Sequence, residues 1–241
     1  MKIVSLGCSF TEKYTSKVDR VWPQIVADEL SAELMNYGRS GAGNRFAYYK
    51  LISHILHFGP PDKVYWLMTE FDRGDFSTSS LHHRLIAIDY EKEPKFQEDI
   101  LKSANDAHLA NRIKLSKILT EIPIQFIVDS NIIIINQVQE ICKAYNIELK
   151  IIQGLLPLNY YLSHYAEKEV AKAIISSDYV SLLDFNTIVG FPWMSILGGF
   201  SILDKSDWKE NYSLSENDLH PSQKGHDYIA NLFLNTISTL P

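Results

Sequence analysis

The chain opens on Lys2-Ile3-Val4-Ser5-Leu6-Gly7, a short run of β-branched and aliphatic residues that ends at a glycine. Such a run is typical of a buried strand in a parallel sheet, which needs apolar side chains on both of its faces. Gly7 allows the backbone to turn sharply directly after the strand. We therefore predict that Cys8 and Ser9 lie in a loop at the carboxyl end of the first strand.

Further apolar runs alternate with helical patterns along the chain. Strands are predicted at Leu34–Tyr37, Val64–Met68, Glu148–Gln153 and Tyr179–Leu183, and helices at Trp22–Leu30, Asn44–Leu56, Phe126–Tyr145 and from Ser222, the predicted N-cap, to about Ile237. This alternation, without an internal repeat or linker, predicts a single doubly wound (flavodoxin-like) α/β domain over 1–241, with a mostly parallel five-stranded sheet flanked by helices.

Two stretches interrupt this regular pattern. A helical insert is expected at about 73–125, with residues from about 80 to 121 helical and a break at Pro94. Residues 186–215 combine glycines with aromatic residues, including Trp193 and Trp208, and are predicted to form a long aromatic loop region. Ligands of doubly wound sheets bind at the carboxyl ends of the strands, so Ser9, Gly41 and Thr69, which follow strands one to three, are expected to meet at one rim.

The bulk composition restricts the classes of partner. The net charge is −6 and no cluster of lysine and arginine stands out, so we expect no nucleic-acid partner. No apolar run is long enough to span a membrane, and the N-terminal run is too short for a signal peptide, so a cytoplasmic protein is expected. The two cysteines, Cys8 and Cys142, fit a reducing compartment and show no metal-ligand spacing.

Ser9 and His220 are the residues with the strongest catalytic potential. A serine at a strand exit is exposed, but it needs a base to remove its proton and donors to hold an oxyanion. His220 lies just before the last predicted helix, and Asp218, two residues earlier, can orient its imidazole ring. Taken separately, the serine also suits an ordinary turn and the histidine an ordinary helix start. The two residues therefore indicate a catalytic site only when they are considered together.

Together these ends resemble the SGNH (GDSL-like) hydrolase family. Gly7-Cys8-Ser9-Phe10-Thr11 is similar to the family's first block, Asn36–Gly41 to its second, and Asp218-Leu219-His220-Pro221 to its last, in the same order along the chain. The resemblance implies that Ser9 is a nucleophile, His220 a general base, Asp218 its partner, and Gly41 a backbone donor to the oxyanion. It implies no cofactor and no metal.

The sequence departs from the family pattern in the first, the third and the last block. Cys8 replaces the usual Asp; because adjacent residues leaving a strand point to opposite sides, only one of Cys8 and Ser9 can face the site, and the family register selects Ser9. The third block's Asn is missing, since Thr69-Glu70-Phe71-Asp72-Arg73 follows strand three. The Asn44 amide or the Thr69 hydroxyl is the expected replacement donor, and Arg73 is needed to neutralise Glu70.

The last block leaves two options for orienting His220. The residue three positions before it is Asn217, and the carboxylate is Asp218, two positions before it. We expect Asp218 to fill this role because a carboxylate stabilises an imidazolium and a neutral amide does not; a Ser–His dyad is the alternative.

Other candidate sites are weaker. His82-His83 has no partner at metal-ligand spacing, and a glycosidase pair of Glu70 and Asp72 would leave Ser9 and His220 without a role. The glycines at 38, 41 and 43 do not have dinucleotide-loop spacing.

We therefore expect a serine esterase that acts on a small-molecule or carbohydrate ester. O-acetylated carbohydrate is the first choice, because Trp193 or Trp208 could stack on a sugar, and short acyl esters of lipid or thioester come next. A binding module that has lost efficient catalysis, and a structural component of a larger assembly, are the competing hypotheses.

Overall fold

The computed structural model describes residues 1–71, 73–75, 82–84, 123–157 and 164–235. Its centre is a five-stranded parallel sheet of order β2-β1-β3-β6-β7. The strands are β1 (Lys2–Gly7), β2 (Glu33–Gly38), β3 (Lys63–Met68), β6 (Glu148–Gln153) and β7 (Ile188–Val189). The predicted α/β class with a five-stranded sheet is confirmed.

Helices cover both faces of this sheet. They are α1 (Trp22–Glu29), α2 (Asn44–Phe58), α3 (Ile124–Ala144), α4 (His164–Ser176), α5 (Trp208–Asn211) and α6 (Gln223–Asn235). One core joins the sheet to α2, α3 and α4, and a second joins it to α1 and α6. Because side chains alternate along a strand, β1 contributes Val4 and Leu6 to the first core and Ile3 to the second.

Two short antiparallel pairs lie outside the main sheet. β4 (Arg73–Asp75) pairs with β5 (His82–Arg84), and β8 (Ser213–Ser215) pairs with β9 (Asp218–Pro221). In the second pair, β9 contains Asp218 and His220 and leads to the start of α6. Ser222 accepts a hydrogen bond from the Gly225 N–H at 3.3 Å, as its predicted N-cap position requires.

The prediction for the fifth strand was wrong. Asp178–Leu182 forms a 3₁₀ helix, and the edge strand of the sheet is instead β7, inside the region expected to be an aromatic loop. The reason is burial. Tyr179 and Leu182 are 40% and 53% exposed, whereas Ile188 and Val189 are 8% and 9% exposed, as a strand covered on both faces requires.

The expected helical insert at about 73–125 falls mostly outside the described residues. Within it the structure describes 73–75, 82–84 and 123–125. The backbone of His82–Arg84 is a strand and not the helix that was expected there, because it pairs with Arg73–Asp75. No helix in the described part of the chain is long and apolar enough to cross a membrane.

A buried histidine joins α6 to the start of α1. His226 is 3% exposed, and its Nδ1 accepts the Trp22 backbone N–H at 3.2 Å. Trp22 also stacks on Phe233 of α6, with ring centroids 4.5 Å apart. Burial lowers the pKa of His226 to about 4, so the folded protein holds this ring neutral.

We expect His226 to make the protein sensitive to acid. Between pH 6.5 and 4 the unfolded chain protonates this histidine and the folded chain does not, so stability is lost as the pH falls through this window. A pKa displaced from 6.5 to about 4 corresponds to a loss on the order of 3 kcal/mol. Urea unfolding at pH 7.5 and 4.5 measures this loss.

The variant His226→Asn isolates this effect. The Asn Oδ1 can still accept the Trp22 N–H but does not titrate, so the variant is expected to lose less stability than the wild type between the two pH values. His57→Asn, at an exposed position of α2, is the matched control. Equal acid losses in wild type and His226→Asn would contradict the prediction.

Candidate active site

The fold brings Ser9 and His220 together from opposite ends of the chain. Ser9 follows β1 and is 7% exposed, and His220 lies in β9. His220 Nε2 is 2.9 Å from Ser9 Oγ, and His220 Nδ1 is 2.6 Å from Asp218 Oδ1. The three side chains therefore form one hydrogen-bonded chain from hydroxyl to carboxylate.

A tight turn after β1 sets the direction of the Ser9 side chain. The Cys8 carbonyl accepts the backbone N–H groups of Thr11 and Glu12, at 2.9 and 3.1 Å. Cys8 is 1% exposed and packs in the core that includes α1 and α6, while the Ser9 hydroxyl faces His220. Of the two adjacent candidates for a nucleophile, Ser9 is the one that contacts the histidine.

The loop after β2 is attached to the turn that carries Ser9. The Asn36 amide donates to the Thr11 carbonyl at 2.9 Å, and the Glu12 carboxylate accepts both the backbone N–H and the hydroxyl of Ser40. A Cβ at Gly38 would lie 2.5 Å from the Thr11 carbonyl carbon, so only glycine lets the two loops approach this closely. Gly41 follows with a φ of +77°, in the left-handed region.

The two side chains expected to replace the missing third-block donor are engaged elsewhere. The Asn44 amide donates to Asn131 Oδ1 at 2.9 Å and to the Thr69 carbonyl at 3.3 Å, and its oxygen accepts the Thr69 N–H at 3.1 Å. The Thr69 hydroxyl donates to Glu70 at 2.7 Å. Asn44 and Thr69 are each 2% exposed, so their donors are committed to buried acceptors and hold α2 against the end of β3.

Two backbone donors are available instead. Among the described residues, the N–H groups of Ser9 and Gly41 have no hydrogen-bond acceptor. Both lie in loops that follow neighbouring parallel strands, β1 and β2. Backbone N–H groups that are not bound to another acceptor can bind a developing oxyanion.

Glu70 is neutralised by an ion pair. Its carboxylate lies 2.5 Å from Arg73 Nε, and both side chains are largely buried. The negative charge expected to oppose an oxyanion is therefore compensated within the same short segment. Asp72, between them, lies outside the described residues.

Asp218 is held in its ionised form beside His220. Burial alone would raise its pKa, but hydrogen bonds from the His220 ring and backbone N–H outweigh this, and with the nearby charge of Lys17 the pKa is lowered. Asn217, the alternative orienting residue, is exposed. Asp218 is therefore the residue that can orient the imidazole and stabilise it when it becomes charged.

The aromatic side chains expected to contact a sugar are buried. Trp193 is fully buried and Trp208 is 1% exposed; the Trp208 indole N–H donates to the Leu219 carbonyl and so supports the strand β9 that contains His220. Neither face is open to a ligand. Two aromatic residues that the sequence reasoning missed contact His220: Phe10 at 5.5 Å and Tyr14 at 3.9 Å between ring centroids. Their closeness in sequence to Ser9 is the one signal that could have indicated them.

Asn131 and Gln153 are further polar residues that the sequence reasoning missed. Asn131 accepts from Asn44, and the Gln153 amide donates to the carbonyls of Thr69 and Leu155 at 3.0 and 2.6 Å. A buried amide inside an apolar helix or strand was the available signal. The described residues contain no group of three or more His, Cys, Asp or Glu arranged to hold a metal ion.

Comparison with known proteins agrees with this architecture. No family model matches the chain, and a search of curated proteins finds no significant match. Among solved structures, a protein described as lipolytic and of the G-D-S-L family, from Desulfitobacterium hafniense DCB-2, is similar with 15% identity over 98% of this chain and 99% of its own, and a TM-score of 0.50. The psychrotrophic esterase EstA from Pseudoalteromonas sp. has 13% identity, 98% and 95% coverage and a TM-score of 0.47.

At these identities a structural likeness is informative about the fold alone. The Desulfitobacterium structure, with its TM-score of 0.50, is the one that supports the fold. It agrees with a five-stranded parallel sheet flanked by helices. The chain therefore has the fold of the SGNH (GDSL-like) hydrolases.

Proposed function

We propose that this protein is a serine hydrolase of carboxylic esters, with Ser9 as nucleophile, His220 as general base and Asp218 as the group that orients it. The observation that supports this most strongly is the hydrogen-bonded chain of these three side chains, with distances of 2.9 and 2.6 Å. Nucleophile, base and orienting carboxylate are then within reach of one another before a substrate binds.

The reaction would proceed through an acyl-enzyme. Ser9 Oγ attacks the ester carbonyl carbon while its proton passes to His220 Nε2, and the carbonyl oxygen becomes an oxyanion. The intermediate expels the alcohol, which takes the proton from His220. Water then attacks the acyl group with His220 again as base, and the carboxylic acid leaves as Ser9 regains its proton.

The oxyanion would be bound by the N–H groups of Ser9 and Gly41. Because the side-chain donors of Asn44 and Thr69 are bound to buried acceptors, the proposal relies on the two backbone N–H groups. Because one oxyanion donor contributes about 10²–10³ in rate, we expect a slower enzyme than a member of the fold with a third donor.

The choice of ester is open to a direct assay. The buried positions of Trp193 and Trp208 remove the argument for a stacked sugar, so a carbohydrate ester has no more support than another small ester. Short p-nitrophenyl esters, acetate to octanoate, are suitable first substrates because they demand little of the alcohol pocket.

Labelling by a fluorophosphonate probe tests the proposal without knowledge of the substrate. The Ser9 oxygen would displace fluoride from phosphorus and form a stable adduct. We expect mass spectrometry to place one adduct on Ser9 in the wild type, and none in Ser9→Ala. An adduct at another residue, or no adduct in the folded protein, would overturn the proposal.

A second candidate function is a binding module on the same fold. The engagement of Asn44 and Thr69 with buried acceptors favours it, and the intact Ser9–His220 hydrogen bond counts against it. A folded protein that binds an ester without cleaving it, and whose Ser9 resists the probe, would favour this candidate.

A further inference from the structure

The imidazole of His220 has an aromatic ring stacked on its outer face. The ring centroids of Tyr14 and His220 are 3.9 Å apart and their planes are inclined by 9°. Tyr14 is 50% exposed, so about half of its surface is covered. The stack on His220 contributes to that covered surface.

A second, buried aromatic ring lies near the same imidazole. Phe10 is 3% exposed, and its ring is 5.5 Å from that of His220 and inclined by 53°. Behind it Trp208 stacks on Phe10 at 6.2 Å. Phe10 and Trp208 belong to the core, whereas Tyr14 is half-exposed.

Hydrogen bonds and ring packing together restrain the His220 imidazole. Asp218 and Ser9 bind its two ring nitrogens. Such hydrogen bonds are directional and weaken when the ring tilts, and a ring packed on the imidazole face opposes the same tilt. The Tyr14 ring, nearly parallel at 3.9 Å, is packed in this way, and an aromatic face also attracts a cation placed over it.

We infer that Tyr14 is a positioning residue of this site, whose ring fixes the plane of the His220 imidazole and stabilises the imidazolium that forms when Ser9 gives up its proton. The inference rests on the proposed function for its kinetic part. Among the described residues, the charged groups recorded for this site are Asp218, which is hydrogen-bonded to the imidazole, and Lys17, whose charge acts on Asp218. We expect both to stay in place when Tyr14 is changed.

Three variants distinguish the effect of the Tyr14 ring from the effect of its hydroxyl and from the effect of losing any exposed tyrosine. Tyr14→Phe keeps the ring, Tyr14→Leu removes it, and Tyr145→Leu removes an equally exposed tyrosine at the end of α3. The energy of an aromatic–cation contact predicts a kcat about 3- to 30-fold lower in Tyr14→Leu, with KM within about twofold. Tyr14→Phe and Tyr145→Leu are expected to stay within about twofold of wild type.

The pH profile gives a readout that a merely structural role would not move. Because the stacked ring favours the charged imidazole, its removal is expected to shift the acid limb of kcat/KM to lower pH by about half a unit to one unit. An unmoved limb together with an unchanged kcat, or an equal loss in Tyr14→Phe, would overturn the inference.

A measurement without turnover distinguishes failure of this inference from failure of the proposed function. In the Ser9→Ala background, the titration of the His220 ring can be followed by NMR with and without Tyr14→Leu. We expect the titration midpoint to move to lower pH in the double variant. If the midpoint moves but the wild-type protein hydrolyses no ester, the stacking is supported and the esterase proposal fails; an unmoved midpoint overturns the inference.

Discussion

Ser9→Ala is expected to lower kcat for a short-chain ester by about 10⁴- to 10⁶-fold, while leaving the fold intact. The change removes the atom that would form the acyl-enzyme and the hydroxyl that donates to His220 Nε2 at 2.9 Å. The histidine and the backbone donors remain, so a residual rate above that in water is expected. Steady-state kinetics on p-nitrophenyl butyrate, with circular dichroism to check folding, measure the effect.

Cys8→Ala is the matched control for this prediction. Cys8 is adjacent in sequence and chemically the more reactive residue, but it is 1% exposed and packed in the core. We expect its loss to cost some stability and to leave kcat within a few-fold of wild type. If Cys8→Ala abolishes turnover while Ser9→Ala keeps it, the assignment of the nucleophile is wrong.

Asp218→Asn is expected to lower kcat by roughly 10²- to 10⁴-fold. The carboxylate accepts from His220 Nδ1 at 2.6 Å and so holds the tautomer in which Nε2 can take the Ser9 proton. An asparagine of the same shape can present its N–H₂ to Nδ1 and favour the wrong tautomer, and it carries no charge to stabilise the imidazolium. The upper end of the range applies to a buried carboxylate; the Asp218 side chain is 40% exposed, which favours the lower end.

Asn217→Ala serves as the control for Asp218→Asn. Asn217 occupies the position three before His220 but is exposed, and we expect kcat to stay within about twofold after its loss. A large effect of Asn217→Ala with a small effect of Asp218→Asn would contradict the orientation of His220 by Asp218. Equal kcat in all three proteins would indicate a Ser–His dyad.

Much of the fold could be read from local patterns. β1, β2, β3 and β6 are apolar runs bounded by polar residues and glycines, and each lies within a residue or two of its predicted place. The edge strand could not be read in this way. Tyr179–Leu183 has a strand-like composition, yet the sheet pairs with Ile188–Val189, because only that segment can be buried beside β6.

Some features of the candidate site could likewise be predicted from the sequence, and others could not. Ser9, His220, Asp218 and Gly41 were recognised from short blocks whose order along the chain could be compared with a family pattern. The engagement of Asn44 with Asn131 could not be foreseen, because the partners are 87 residues apart and meet only where α2 packs on α3. The burial of Trp193 and Trp208 is likewise a property of the packed core.

The sequence by itself determined the strand that begins the fold and the α/β class, because both depend on residue type and local spacing. The pair Ser9 and His220 was predicted from the order of short blocks compared with a family pattern. Only the tertiary structure decided what surrounds them. It placed Tyr14 on His220, committed Asn44 and Thr69 to buried acceptors, and brought together two side chains 211 residues apart in sequence. The physical reason is that hydrogen-bond partners and burial arise from packing between distant segments, which local spacing does not encode.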